Sequence, residues 1–339
     1  MNITYLIGNG FDKNLGLHTG YQDFYKYYLK LPREDLPKIV SQFREDLDAA
    51  IEDWSDLELS LGRYLKRFHK EDIPDIITLL DDLQDSLADY LDGQDVNTTI
   101  TETDKVKLKK DLIYPMSYLN EKDKMGASLI DQKKNEFFDK SIFVILFNYT
   151  KTFEKLFDCK EKKILKIEQQ NEELVFAHLR IEHIHGSTDR NMLLGINDPL
   201  QIENDEIRKD EDLQQAIVKP YMNENTGSLR AKRCKESIYS ADLICIFGMS
   251  LGETDRLWWE HIIAALLKKP KLAIILFSRS NEINLRREYR TGKKKKEAII
   301  EKFLSYSSLD ATQKNSIKER IYVCLGSKML KLKDGLIKL

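Results

Sequence analysis

Four short clusters in this chain combine residue types that could do chemistry. Gly8-Asn9-Gly10-Phe11-Asp12 sets two glycines among small polar side chains. Bare backbone there would let a pyrophosphate approach. Asn9 could bond a sugar, and Asp12 could cap a helix or touch a ribose hydroxyl. An ordinary tight turn would use the same letters. In Phe147-Asn148-Tyr149-Thr150, Asn148 could place a water or a ribose hydroxyl without carrying charge, or could cap the following TFEKLF. In Ile184-His185-Gly186-Ser187, His185 is of the type that serves as general acid or base near neutral pH, and Gly186 leaves room for a ligand. His183 shares a face with His185 on a regular strand. Two other readings follow: metal ligation with Asp189, Asp198 or His178, or a satisfied core histidine at 183. In Phe247-Gly248-Met249-Ser250-Leu251-Gly252-Glu253-Thr254-Asp255, Gly248 and Ser250 suit phosphate or ribose. Asp255 sits near a helix start, where the dipole favours a carboxylate whatever its function. The spacing Gly248-x-Ser250-x-Gly252 also fits a serine-hydrolase elbow, but no histidine–acid partner order accompanies it.

Two further segments matter. Leu15 to Phe24, with Thr19 and Gly20, reads either as a flap over a ligand or as a plain loop with an aromatic anchor. Glu58, in WSDLE, falls on an otherwise apolar helical face; a helix-start pattern with a salt-bridged glutamate accounts for it.

These clusters need strands to hold them. Continuous apolar runs occur at 3–7 (ITYLI), 142–147 (IFVILF), 181–185 (IEHIH), 243–247 (LICIF), 272–277 (LAIILF) and 321–325 (IYVCL). Runs of this kind suit a parallel sheet covered on both faces, and helical patterns lie between several of them. The expected fold is α/β, a doubly wound Rossmann-like core from 1–14 and 141–339. Residues 15–140 form a mainly helical insertion, with apolar residues at helical spacing such as Leu57, Leu61, Leu65 and Ile76, Leu80, Leu83, Leu87. Residues 92–106 read as a polar loop, 201–240 as charged helix, and Lys293–Lys296 as a solvated turn.

Bulk properties narrow the class. The 339 residues carry a formal charge of −2, which argues against a generally basic nucleic-acid binder. No apolar run reaches the ~18 residues of a membrane span, and no signal peptide is recognisable. The four cysteines are scattered and form no CxxC pair, so no structural zinc is expected. A cytoplasmic protein fits.

Taken together, YLIGNGFD with the following LGL, WSDLE, FNYT, HIHGS and FGMSLGETD resemble the AbiH family of phage abortive-infection proteins along nearly the whole chain. The motif order is also similar to that of sirtuin-like NAD-binding domains. That resemblance implies pyrophosphate at Gly8, Asn9, Gly10, Phe11 and Asp12, with Thr19 nearby, and nicotinamide ribose at Asn148. It implies a catalytic His185 beside Gly186, and phosphate or ribose contacts at Gly248, Ser250 and Asp255. The pattern is altered: Asp12 stands where a serine is usual, and Thr150 where an aspartate is usual. The zinc cysteines of deacetylating sirtuins are absent, so the implied chemistry is NAD binding or cleavage with no metal. A non-catalytic nucleotide sensor is a second class. A nuclease using His185, Asp12 and Asp255, with basic segments 230–235 and 286–296, is a third. The implied partners are a nucleotide, a phage-derived trigger and a second copy of the chain.

Overall fold

The structure is a computed structural model that describes residues 1–32, 34–94, 100–128, 140–168, 174–278 and 288–332. Seven strands form one sheet: β1 (Asn2–Ile7), β2 (Lys140–Leu146), β3 (Lys162–Glu168), β4 (Leu174–His183), β5 (Leu243–Phe247), β6 (Ala273–Ser278) and β7 (Ile321–Leu325). Their order is β3-β4-β2-β1-β5-β6-β7. Every pairing is parallel except that of β3 with β4. From β1 the chain moves outward through β2 and β4, then returns to build β5, β6 and β7 on the other side. The direction of winding therefore reverses between β1 and β5. A crevice beyond the carboxyl ends of the strands opens at such a point.

Fourteen α-helices, with six short 3-10 helices among them, complete the described chain. Seven follow β1: α1 (Gly10–Asn14), α2 (Tyr21–Tyr28), α3 (Lys38–Ala49), α4 (Leu57–Tyr64), α5 (Ile73–Asp92), α6 (Glu102–Ile113) and α7 (Glu121–Ser128). After β2 come α8 (Thr152–Phe157), α9 (Glu211–Ile217), α10 (Lys219–Asn225), α11 (Arg230–Ser240), α12 (Arg256–Lys268), α13 (Glu288–Leu304) and α14 (Ala311–Lys318).

Alternation along β1 explains the layering. Ile3, Tyr5 and Ile7 join one core with Leu108 and Leu112 of α6 and Phe153 and Phe157 of α8. Leu6 points the other way, into a core with Ile238 of α11, Trp259 and Ile263 of α12 and Phe303 of α13. A third core joins α2 to α5 through Phe24, Phe43, Trp54, Leu61 and Leu83, completed by Ile196, Leu213 and Ile217 from the later chain.

The sheet holds all six expected runs, with differences that have local causes. The run at 181–185 is the end of a longer strand that stops at His183, so His185 lies in the turn beyond it. β3 was not foreseen, because KKILKIE mixes three lysines among its apolar residues, as edge strands do, in place of a continuous apolar run. α6 starts within the stretch read as a loop. Thr101 and Asp104 form a capping box that nucleates it, while residues 95–99 lie outside the described residues. Lys293–Lys296 belong to α13 and not to a turn; Lys293 and Lys294 are exposed on it. Residues 286 and 287 of the basic segment lie outside the described residues.

Candidate active site

The loops after β1, β2, β4 and β5 meet in one cleft of about 680 Å3 at the winding reversal, within the usual size range of small-ligand sites. Gly8, Asn9, Gly10, Asp12, Thr19, Asn148, His185, Gly248, Ser250 and Asp255 all line it. Two expected ligand residues do not. Phe11 is fully buried beneath the cleft, packed on Phe153 and Phe247. Gly186 turns away into a neighbouring cavity. Its φ of +74° and a would-be Cβ only 1.8 Å from the Asn191 carbonyl oxygen show that the glycine closes a turn.

The glycines after β1 also have a nearer cause than a ligand. The Gly8 and Gly10 amides donate to the carbonyls of Phe247 (3.0 Å) and Gly248 (2.8 Å), and the Phe11 amide donates to Gly8 (2.9 Å). A Cβ on Gly10 would lie 2.5 Å from Gly248 Cα. The two loops interlock backbone to backbone, and the expected cradle of open amides at Gly8 and Gly10 is not formed. Asn9 serves the flap: its side-chain amide donates to the Thr19 carbonyl (2.6 Å), and the Thr19 hydroxyl donates back to Asn9 Oδ1.

Asp12 is fully buried within α1 and caps nothing. Its Oδ2 accepts from Thr150 Oγ1 (2.6 Å) and Asn148 Nδ2 (3.0 Å). Its Oδ1 has no partner, and neither does Asn148 Oδ1. Burial raises the Asp12 pKa, while hydrogen bonding from Thr150, Asn148 and Thr152 acts against the rise. The two departures from the resembled motif thus answer each other. A carboxylate on the β1 loop bonds a hydroxyl on the β2 loop, where the motif has the two groups exchanged.

His185 is buried edge-to-face against Phe147, and both ring nitrogens lack partners. Burial, and then the positive charges of Lys219 and Arg230, push its pKa well below the ordinary histidine value. The ring is neutral at physiological pH. His183 goes elsewhere: its Nδ1 lies 3.1 Å from the Asn148 carbonyl and its Nε2 against Glu154. The end of β4 after His183 places the two histidines on different cavities.

A second polar group forms the cleft's opposite wall. Lys219, at the start of α10, donates to Glu58 of α4 at 2.6 Å, and both are buried. The Tyr149 hydroxyl lies 3.0 Å from Glu58 and 3.0 Å from the Leu193 carbonyl. Asp255, at the start of α12, makes no side-chain capping bond. Burial pushes its pKa up to about 7; Lys219 opposes the rise and the charges of Glu58 and Asp56 add to it. Sequence reasoning treated Glu58 as structural and passed over Lys219. The salt bridge expected of Glu58 is present, and nothing in the sequence marked Lys219 as its partner. Lys13 and Lys302 supply positive charge along the cleft.

Among the described residues, no group of three or more His, Cys, Asp or Glu is placed to hold a metal ion. No described helix is long and apolar enough to cross a membrane. The four cysteines are free and buried. The model of the family described as bacteriophage abortive infection AbiH matches residues 4–277, and no curated protein matches the chain. The chain belongs to the AbiH family.

Proposed function

We propose that this AbiH protein binds a nucleotide in the cleft and, when triggered during infection, hydrolyses NAD to nicotinamide and ADP-ribose. One observation carries the reading: Asp12, Asn148 and His185, each with a buried polar atom that has no partner, line a single cleft at the winding reversal. Buried polar groups are rarely left unpaired, and a polar ligand would complete them. Asp12 Oδ1 and Asn148 Oδ1 are acceptors suited to ribose hydroxyls or to an attacking water. Lys13 and Lys302 offer charge for the pyrophosphate in place of the engaged amides of Gly8 and Gly10.

The proposed roles follow from the pKa directions. Burial weakens His185 as a base, whereas it strengthens Asp12. Asp12 therefore takes the proton of the water that attacks C1′ as the bond to nicotinamide breaks, and its charge faces the positive charge developing on the ribose. Thr150 and Asn148 hold its carboxylate in place. Neutral His185 orients the ribose. The balance is NAD+ and water to nicotinamide, ADP-ribose and one proton.

The test is nicotinamide release by purified protein, with and without lysate from phage-infected cells, beside Asp12→Asn, Asn148→Ala and His185→Ala. Release by the wild type that all three variants lose supports the reading. Tight NAD binding with no release under either condition supports the second reading, a nucleotide sensor. The engaged amides of Gly8 and Gly10 favour that alternative, since they depart from a phosphate cradle. Absence of NAD binding together with degradation of RNA or DNA would replace both with a nuclease.

A further inference from the structure

We propose that the cavity behind the His185 turn is a second ligand site, for a small phosphate-bearing molecule held by Arg230 and Arg190. This inference does not depend on the reaction in the main cleft. The cavity encloses about 1010 Å3 between α8, the end of β4, the turn at 186–191 and the start of α11.

The charges on its walls do not balance. Its acids are mostly engaged: Asp189 by Lys151, Glu182 by Arg233 at 2.7 and 2.9 Å, Glu154 by His183, and Asp158 by Lys163 at 2.9 Å. Glu161 remains, exposed between the exposed Lys160 and Lys162. Among the described residues, neither Arg230 nor Arg190 has a carboxylate within ion-pair distance.

Arg230 is the unusual group, because its relative exposure is only 6%. Its guanidinium meets only the Ser228 hydroxyl (3.3 Å) and, at 3.4 Å, the His183 carbonyl. A buried cation without an anion is costly, and a bidentate phosphate is the partner a guanidinium fork fits best. Burial lowers the Arg230 pKa; the charge of Glu182, itself bonded to Arg233, opposes the drop, and the nearby charges of Arg190 and Arg233 add to it. The site also receives the start of α11, an 11-residue helix whose N-cap, Leu229, makes no side-chain cap and whose first turn holds no acid, although the Ser228 hydroxyl accepts from the Arg230 amide. Its dipole reinforces the preference for an anion.

Calorimetry on the whole protein at fixed ionic strength, with sodium chloride as reference, tests the site using inorganic phosphate and adenosine monophosphate. Saturable binding of either is expected, weakened about tenfold or more by Arg190→Gln and abolished by Arg190→Glu. Arg190 is exposed, so these variants fold even where Arg230→Gln does not. Lys13→Gln with Lys302→Gln, in the main cleft, leaves this binding unchanged. Tighter binding of the nucleotide identifies a nucleotide ligand; equal binding identifies phosphate itself. The proposal is overturned by no binding above the chloride reference, by binding indifferent to Arg190→Glu, or by binding lost in the Lys13 and Lys302 variant.

Discussion

The cleft at the sheet and the helical cluster of α2 to α5 both bury polar side chains, and they treat them in opposite ways. In the cluster the groups are closed within the protein: Tyr25 donates to the Trp54 carbonyl at 2.8 Å, Tyr28 to Asp82 at 2.5 Å and Tyr64 to Asp46 at 2.9 Å. Arg44 donates to the Pro32 carbonyl at 3.0 Å and stacks over Tyr28, with only its Nε left over. In the cleft, Asp12, Asn148 and His185 together leave four atoms without partners. Under the proposed function, the polar atoms left open in the cleft are those a ligand would complete, in contrast to the closed groups of the cluster.

That contrast breaks most severely at Asp12. Asp12→Asn is expected to lower nicotinamide release by about 10²–10⁴-fold while the melting temperature holds or rises, because a half-satisfied buried carboxylate costs stability. A clear drop in melting temperature would move Asp12 to the side of the helical cluster. Next in size is Glu58, which joins the two regions. Glu58→Ala strands the buried Lys219 and should cost about 3–5 kcal/mol in urea unfolding, with Lys219→Met added to it recovering most of the loss. An equally destabilised double variant would show that the pair acts through packing and not through charge.

Asp255 sharpens the contrast through pH. Its pKa is about 7 in the folded chain against an ordinary 3.8, so the folded state keeps a proton that the unfolded state has released. Stability from this group is full below 3.8 and is lost as pH rises through about 7. Asp255→Asn removes that loss. Its melting temperature should gain on the wild type by about 6 °C across this window and stay level above it. His185, whose pKa moves the other way, contributes equally to both proteins and cancels. A constant offset at every pH would place Asp255 in open solvent. The smallest effect belongs to Tyr28→Phe, expected to cost about 1 kcal/mol without altering NAD turnover. Lost turnover there would erase the distinction between the regions.

The sequence made the sheet legible because its central strands are apolar on both faces, as in LICIF and LAIILF. It hid β3, whose lysines mark an edge with only one neighbour. The clusters after β1, β2, β4 and β5 were legible as motifs, since glycine, asparagine and histidine at strand ends are few and distinctive. Their bonding was not. Asp12 and Thr150 looked like two separate departures from a pattern until their hydrogen bond across 138 positions showed one arrangement. Glu58 and Lys219 stand 161 positions apart, and only the folded chain brings them together. Phe11 and Gly186 were misplaced because a motif's letters do not separate the residues that face a ligand from those that hold the loop.

The backbone seam between Gly8–Gly10 and Gly248 also decides which way the cleft can move. With carbonyl and amide locked across it and no room for a methyl group, the loops after β1 and β5 behave as a fixed anvil. Under the proposed function, adjustment to a ligand would fall to the Glu58–Lys219 wall, because Thr19 is bonded to Asn9 on the fixed side.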